Sequence, residues 1–130
     1  MTLRNVLLSA VLGAGLITTP AAAYITENGF TVRQIDNDRF EVLPRGGLGV
    51  SDAWCAAGDY VIRRLGQPLK TQIWRISEPP RPSGQSIVFS LSSKGAATTT
   101  GMLTSSGGAS ISASHGQQMC WAARELKRNR

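Results

Sequence analysis

The chain has 130 residues, 14 Lys and Arg against 8 Asp and Glu, a formal net charge of +6, two cysteines and one histidine. That length suits one small domain, able to bury a core but with little surplus stability. Two cysteines and one histidine make a poor structural zinc set, and no metal or cofactor is expected.

Residues 1–23 read as a cleaved export signal. Arg4 supplies a positive start, Val6 to Ile17 form an apolar run, and Ala21-Ala22-Ala23 place small residues where a signal peptidase reads. The competing reading is a membrane anchor. Twelve apolar residues at 1.5 Å each cover about 18 Å, short of a hydrocarbon core of roughly 30 Å. Cleavage after Ala23 leaves residues 24–130 as a single small domain in the periplasm or outside the cell, with no later segment apolar enough to span a membrane.

Phe30 to Ile35 and Arg39 to Leu43 alternate in hydrophobicity around the turn signal Asp36-Asn37-Asp38, which predicts a hairpin with Phe30, Val32, Phe40 and Val42 on one face. Pro44-Arg45-Gly46-Gly47 reads as a linker, without the spacing of a phosphate loop. Ser51 is the expected cap of a first helix, with Asp52 in its first turn and Trp54, Ala57, Val61 and Leu65 as its apolar stripe. Cys55 borders the stripe, Asp59, Arg63 and Arg64 fall towards its wet margin, and Gly66 and Pro68 end the helix.

Thr71 to Ser77 reads as a strand with Trp74 and Ile76 sharing a face. Pro79 to Gly84 is a rigid exposed loop, and Ser86 to Leu91 is a strand with Ile87, Phe89 and Leu91 inward. Between Ser92 and Ser114 the composition turns to Ser, Thr, Gly and Ala. A flexible linker competes there with a small-residue hairpin of Thr98 to Ser105 and Ala109 to Ala113, turning at Gly107-Gly108, and the hairpin is preferred. A last helix follows, capped by Ser114, with Met119, Ala122, Ala123 and Leu126 as its stripe and Lys127, Arg128 and Arg130 at its end. All three tryptophans, Trp54, Trp74 and Trp121, sit on patterns that suit a core.

Export places Cys55 and Cys120 in an oxidising compartment, where one intramolecular pairing exists. The alternative is two separate buried thiols. A closed Cys55–Cys120 loop contributes about 4 kcal/mol by chain entropy and joins the two helices, with the indoles beside the cysteines covering the bond. The fold class is α+β, a small antiparallel sheet packed by two helices joined by one disulfide.

No catalytic residues are assigned. His115 is the one imidazole, and Ser114-His115-Gly116 reads more simply as a helix start than as part of a triad. The leading expectation is a protein-interaction or structural module of the cell envelope, acting without catalysis. A second expectation is binding of anionic envelope polymers or lipid head groups through Arg63, Arg64, Arg75, Arg81, Arg124, Lys127, Arg128 and Arg130. A third is a hydrolase, or an inhibitor of secreted enzymes using Pro79–Gly84 as its reactive loop. Nucleic acid is disfavoured as a partner, because export removes its usual context. N-terminal sequencing of the protein recovered from outside the cytoplasm should read Tyr24-Ile25-Thr26; a recovered chain that retains residues 1–23 would refute the cleaved leader.

Overall fold

A computed structural model describes residues 13, 15, 23–103 and 107–130. The expected leader falls almost wholly outside the described residues, as do Thr104 and Ser105 of the expected small-residue strand. The described chain runs β1 (Tyr24–Ile25), β2 (Thr31–Gln34), β3 (Arg39–Val42), α1 (Val50–Asp59), a π-helical turn (Tyr60–Arg64), β4 (Gln72–Arg75), β5 (Ile87–Ser90), β6 (Ser110–Ser112) and α2 (Ala113–Arg128). Its six strands form one antiparallel sheet in the order β1-β2-β3-β5-β4-β6, and both helices cover one face. The α+β reading holds, with two disulfide-linked helices on an antiparallel sheet.

Alternation positions the core. Val32, Phe40, Val42, Ile87, Phe89, Ile73 and Ile111 point to the helix side, and the register sets Val32 opposite Val42, Phe40 opposite Phe89, and Ile73 opposite Ile111. Rings gather at the centre. Phe40 meets both Phe89 and Tyr60, and Trp54 of α1 stands edge-on to Phe89 at 4.7 Å between centroids. Such tilted and edge contacts suit the aromatic quadrupole. The Asp36 turn forms as expected, its Oδ1 accepting from the backbone N–H groups of Asp38 and Arg39.

The helix starts differ from expectation. Gly49, not Ser51, precedes α1, and the Asp52 carboxylate reaches back to the Gly49 N–H at 3.1 Å. This leaves Ser51 exposed. Ser112, not Ser114, caps α2, because its Oγ accepts from the His115 N–H at 3.1 Å. In both cases the helix begins before the expected residue, and α2 follows β6 without a break.

Among the described residues, the region from Ser92 to Ser114 does not make the small-residue hairpin. Residues 98–103 contain no strand, and Thr99 makes a single parallel bridge to Gly108. Ser110–Ser112 pairs with β4 instead, because Ile111 there completes the core opposite Ile73. β4 also turns the expected way round in alternation but the opposite way in burial. Trp74 lies half-buried on the outer face, between Ser90 and Ser110, while Arg75 faces the core and is 2% exposed.

The two helices meet through missing side chains. A Cβ at Gly58 would stand 2.5 Å from the Gln117 backbone nitrogen, and one at Gly116 would stand 2.7 Å from the Trp54 carbonyl oxygen. One turn along, Cys55 and Cys120 are joined, with Cα atoms 4.8 Å apart. The antiparallel pairing of α1 with α2 is thus set by two glycines and locked by one bond. Trp54 does not act as a cover for the bond: its indole packs on Phe89 and donates to the Thr100 carbonyl. Trp121 is exposed on the outer side of α2.

Replacing Gly58 by Ala separates propensity from packing. Helix propensity alone favours Ala by about 1 kcal/mol, whereas overpacking costs about 1–3 kcal/mol. With rigid backbone as the obstacle, Gly58→Ala should lower unfolding free energy by about 2 kcal/mol in urea titration; unchanged or raised stability would refute the close approach.

Candidate functional site

Arg75 is the chemical anomaly of the core. A guanidinium is costly to bury unless it is paired and hydrogen-bonded. Its Nε donates to the Ser77 carbonyl at 2.8 Å and its Nη1 to the Thr100 carbonyl at 3.1 Å. Among the described residues no carboxylate approaches it within 4 Å. Burial pushes the Arg75 guanidinium below its ordinary basicity; Glu78 opposes that shift and Arg81 reinforces it. The side chain nevertheless stays cationic at neutral pH.

Several distant residues build its seat. Thr100 is fully buried, and its carbonyl takes both Arg75 Nη1 and the Trp54 indole N–H, so the loop that follows β5 is tied to the sheet and to α1 at one oxygen. Gly101 has φ +83°, and a Cβ there would lie 2.5 Å from Arg75 Nη1. A side chain at that position would therefore combine backbone strain with eviction of the guanidinium.

Glu78 fixes the same loop from outside. Its carboxylate accepts from both the backbone N–H and the hydroxyl of Thr98. The Thr98 hydroxyl, above all, holds the Glu78 carboxyl below its ordinary range.

Arg75 opens onto a cleft of about 740 Å³. Arg81 stands on its wall, its Nη1 donating to the Gln85 carbonyl at 2.9 Å and its Nη2 to the Leu48 carbonyl at 3.2 Å. No acidic partner of Arg81 lies within 4 Å among the described residues. Leu48, Val50, Pro79, Ile87 and Met102 supply an apolar lining. The volume falls in the range of small-molecule sites, and an apolar wall with a few fixed polar groups is their usual make-up.

The remaining cations expected to meet a polyanion do not gather with these two. Arg63 and Arg124 converge on Glu27, and Arg63 Nε also stands 3.2 Å from Asp59 Oδ1. Asp59, expected near the wet margin of α1, is in fact fully buried, where its Oδ2 accepts from the Tyr24 hydroxyl and the Glu27 N–H. Arg128 pairs with Glu125, and Arg64 is exposed on the π-helical turn. Lys127 and Arg130 line a second groove, of about 490 Å³, with Met119, Ala122, Leu126 and the first turn of α1.

That second groove exists because α2 outruns its partner. The antiparallel pairing brings the start of α1 beside Met119 and Ala122, so the expected stripe loses its cover beyond that point. Ala122 is exposed and Leu126 is 68% exposed. Trp121, on the other side of the helix, is 63% exposed. His115 sits exposed in the first turn of α2, where its backbone is engaged with Ser112. Among the described residues no group of three or more His, Cys, Asp or Glu could hold a metal ion, and no helix is long and apolar enough to cross a membrane.

Acid should loosen the loop behind Arg75. Because the folded pKa of Glu78 is lowered, its contribution is fully present above the ordinary carboxylate value and is lost as pH falls through the lower folded one. Amide protection at Thr98 and Thr100, measured against the intrinsic exchange rate at each pH, should therefore fall as pH drops below the ordinary carboxylate range, and Glu78→Gln should show the lower protection already at neutral pH. Protection that is independent of both changes would refute this tether.

No family model, curated protein or solved structure matches the chain.

Proposed function

We propose that the protein is an exported, non-catalytic interaction module that docks an acidic protein partner on the overhanging end of α2. The observation that carries this reading is the exposure of Leu126 beside a groove on a helix that the disulfide fastens to α1. An anchored helix end exposes apolar area at little entropic cost, since nothing needs ordering on binding.

Charge selects the partner. Lys127 and Arg130 border the groove around Leu126, and neither lies within 4 Å of a carboxylate among the described residues. An acidic protein surface that presents one apolar side chain complements this arrangement: the apolar group covers Leu126 and Met119, and its acids meet the two cations. Rim charges of this kind act mainly on encounter rate and on salt dependence. Export supports the same reading, because it keeps the Cys55–Cys120 bond oxidised and hence the helix fixed.

The test is a photo-crosslinking amino acid at position 122, in the groove, or at position 72, on the outer face of the sheet, in the producing cell. Position 122 should give one discrete protein adduct, whose yield falls with added salt and is abolished by Leu126→Glu, while position 72 gives none. Absence of an adduct at 122, or an adduct indifferent to Leu126→Glu, would overturn the proposal. Leu126 is exposed enough for that substitution to leave the fold intact.

A further inference from the structure

We infer that the cleft above Arg75 is a binding site for a small organic carboxylate carrying an apolar body. It is separate from the α2 end and does not depend on the docking proposed there. Three independent features converge on it. Arg75 is nine-tenths buried and more, yet only two backbone carbonyls accept from it among the described residues. A guanidinium has five N–H donors in a planar fork. Nε and Nη1 each use one donor on these carbonyls, which leaves donors for a ligand entering from the cleft that Arg75 lines.

Charge sets the ligand's valence. Arg75 and Arg81 contribute two positive charges at the cleft, and Glu78 is the acid whose field reaches Arg75. Two cations against one carboxylate leave one positive charge, which a monoanion neutralises. A dianionic phosphate would leave surplus negative charge beside that single positive one, against the charge balance that a monoanion meets. A carboxylate also matches the guanidinium plane.

The walls set the ligand's body. Leu48, Val50, Pro79, Ile87 and Met102 are among the lining residues, and they offer a hydrocarbon chain or apolar side chain a surface to displace water from. Gly101 belongs to the same design. Its positive φ and lack of Cβ keep the guanidinium at the cleft floor, where any larger residue would fill the space of Nη1.

Trp54 supplies an internal reporter, because its indole N–H shares the Thr100 carbonyl with Arg75. Octanoate, octyl phosphate and octanol titrated into the disulfide-bonded protein give three arms with one chain length. Octanoate should saturate at one site and shift the Trp54 indole N–H resonance, and octanol should bind at least about tenfold more weakly. Arg75→Met should weaken octanoate by about tenfold or more. Because that variant leaves the Ser77 carbonyl without its donor, Arg81→Gln provides a test that retains Arg75; it should weaken octanoate by at least about threefold with the native spectrum preserved. Equal binding of octanol would reduce the site to an apolar cleft and overturn the inference. So would octyl phosphate binding tighter than octanoate, an affinity unchanged in Arg81→Gln, or no saturable binding of octanoate at all.

Discussion

Backbone-to-backbone contact between α1 and α2 is the constraint from which the rest of this structure follows. Gly58 and Gly116 let the helices approach until a Cβ on either would strike the other's main chain, and Cys55–Cys120 holds them there. Helices that close cannot slide without breaking contacts along the whole seam, so the register of one fixes the other. From this follow the seat of Trp54 against Phe89, the burial of Asp59 beneath Tyr24 and Glu27, and the length of α2 that projects past α1. Chain entropy alone gives the bond about 4 kcal/mol. Its structural consequence is larger than that figure suggests, because it fastens the first helix of the domain to the last.

The elements with one clear hydrophobic period were legible in the sequence. The β2–β3 hairpin, the strand around Phe89 and both helices declare themselves, because a single buried face makes a single periodic signal. The pairing of Cys55 with Cys120 was legible from cysteine arithmetic, and the structure forms it. β4 was only half legible. Ile73-Trp74-Arg75-Ile76 carries apolar residues on both alternating faces, so hydrophobicity assigns Trp74 and Ile76 inward. The structure puts Ile73 and Arg75 there instead. The decision rests on Ile111 and on the Thr100 carbonyl, both remote in sequence, and local pattern has no access to either.

The same remoteness hid the candidate cleft. Arg75 and Arg81 stood among eight cations with nothing local to distinguish them. What separates them is their setting: both donate to backbone carbonyls beside one cleft, whereas Arg63, Arg124 and Arg128 each face an acid and Lys127 and Arg130 line the other groove. The stretch from Ser92 to Gly108 read by composition as a small-residue hairpin competing with a linker, and neither reading marks a role for the Thr100 main chain. Its role is carried by main-chain atoms, the Thr100 carbonyl above all, and a carbonyl is present whatever the residue. At Gly101 the residue type matters, but its meaning depends on an arginine from another strand.

Both candidate surfaces back onto the segment from Gly47 to Asp52. Leu48 and Val50 face the Arg75 cleft, while Gly47, Ser51 and Asp52 face the groove beside Leu126. Such an arrangement couples two sites only if the shared segment has two arrangements to choose between. This one is pinned at three places. Asp52 caps the helix through the Gly49 N–H, the Leu48 carbonyl receives Arg81, and Cys55 is bonded one turn further on. With the segment held in one conformation, a ligand at Arg75 gains nothing from a partner at α2, nor the reverse. If both proposed surfaces are used, the clamp on this shared segment would leave them energetically independent, so that a small anion and a protein would be carried together without either regulating the other.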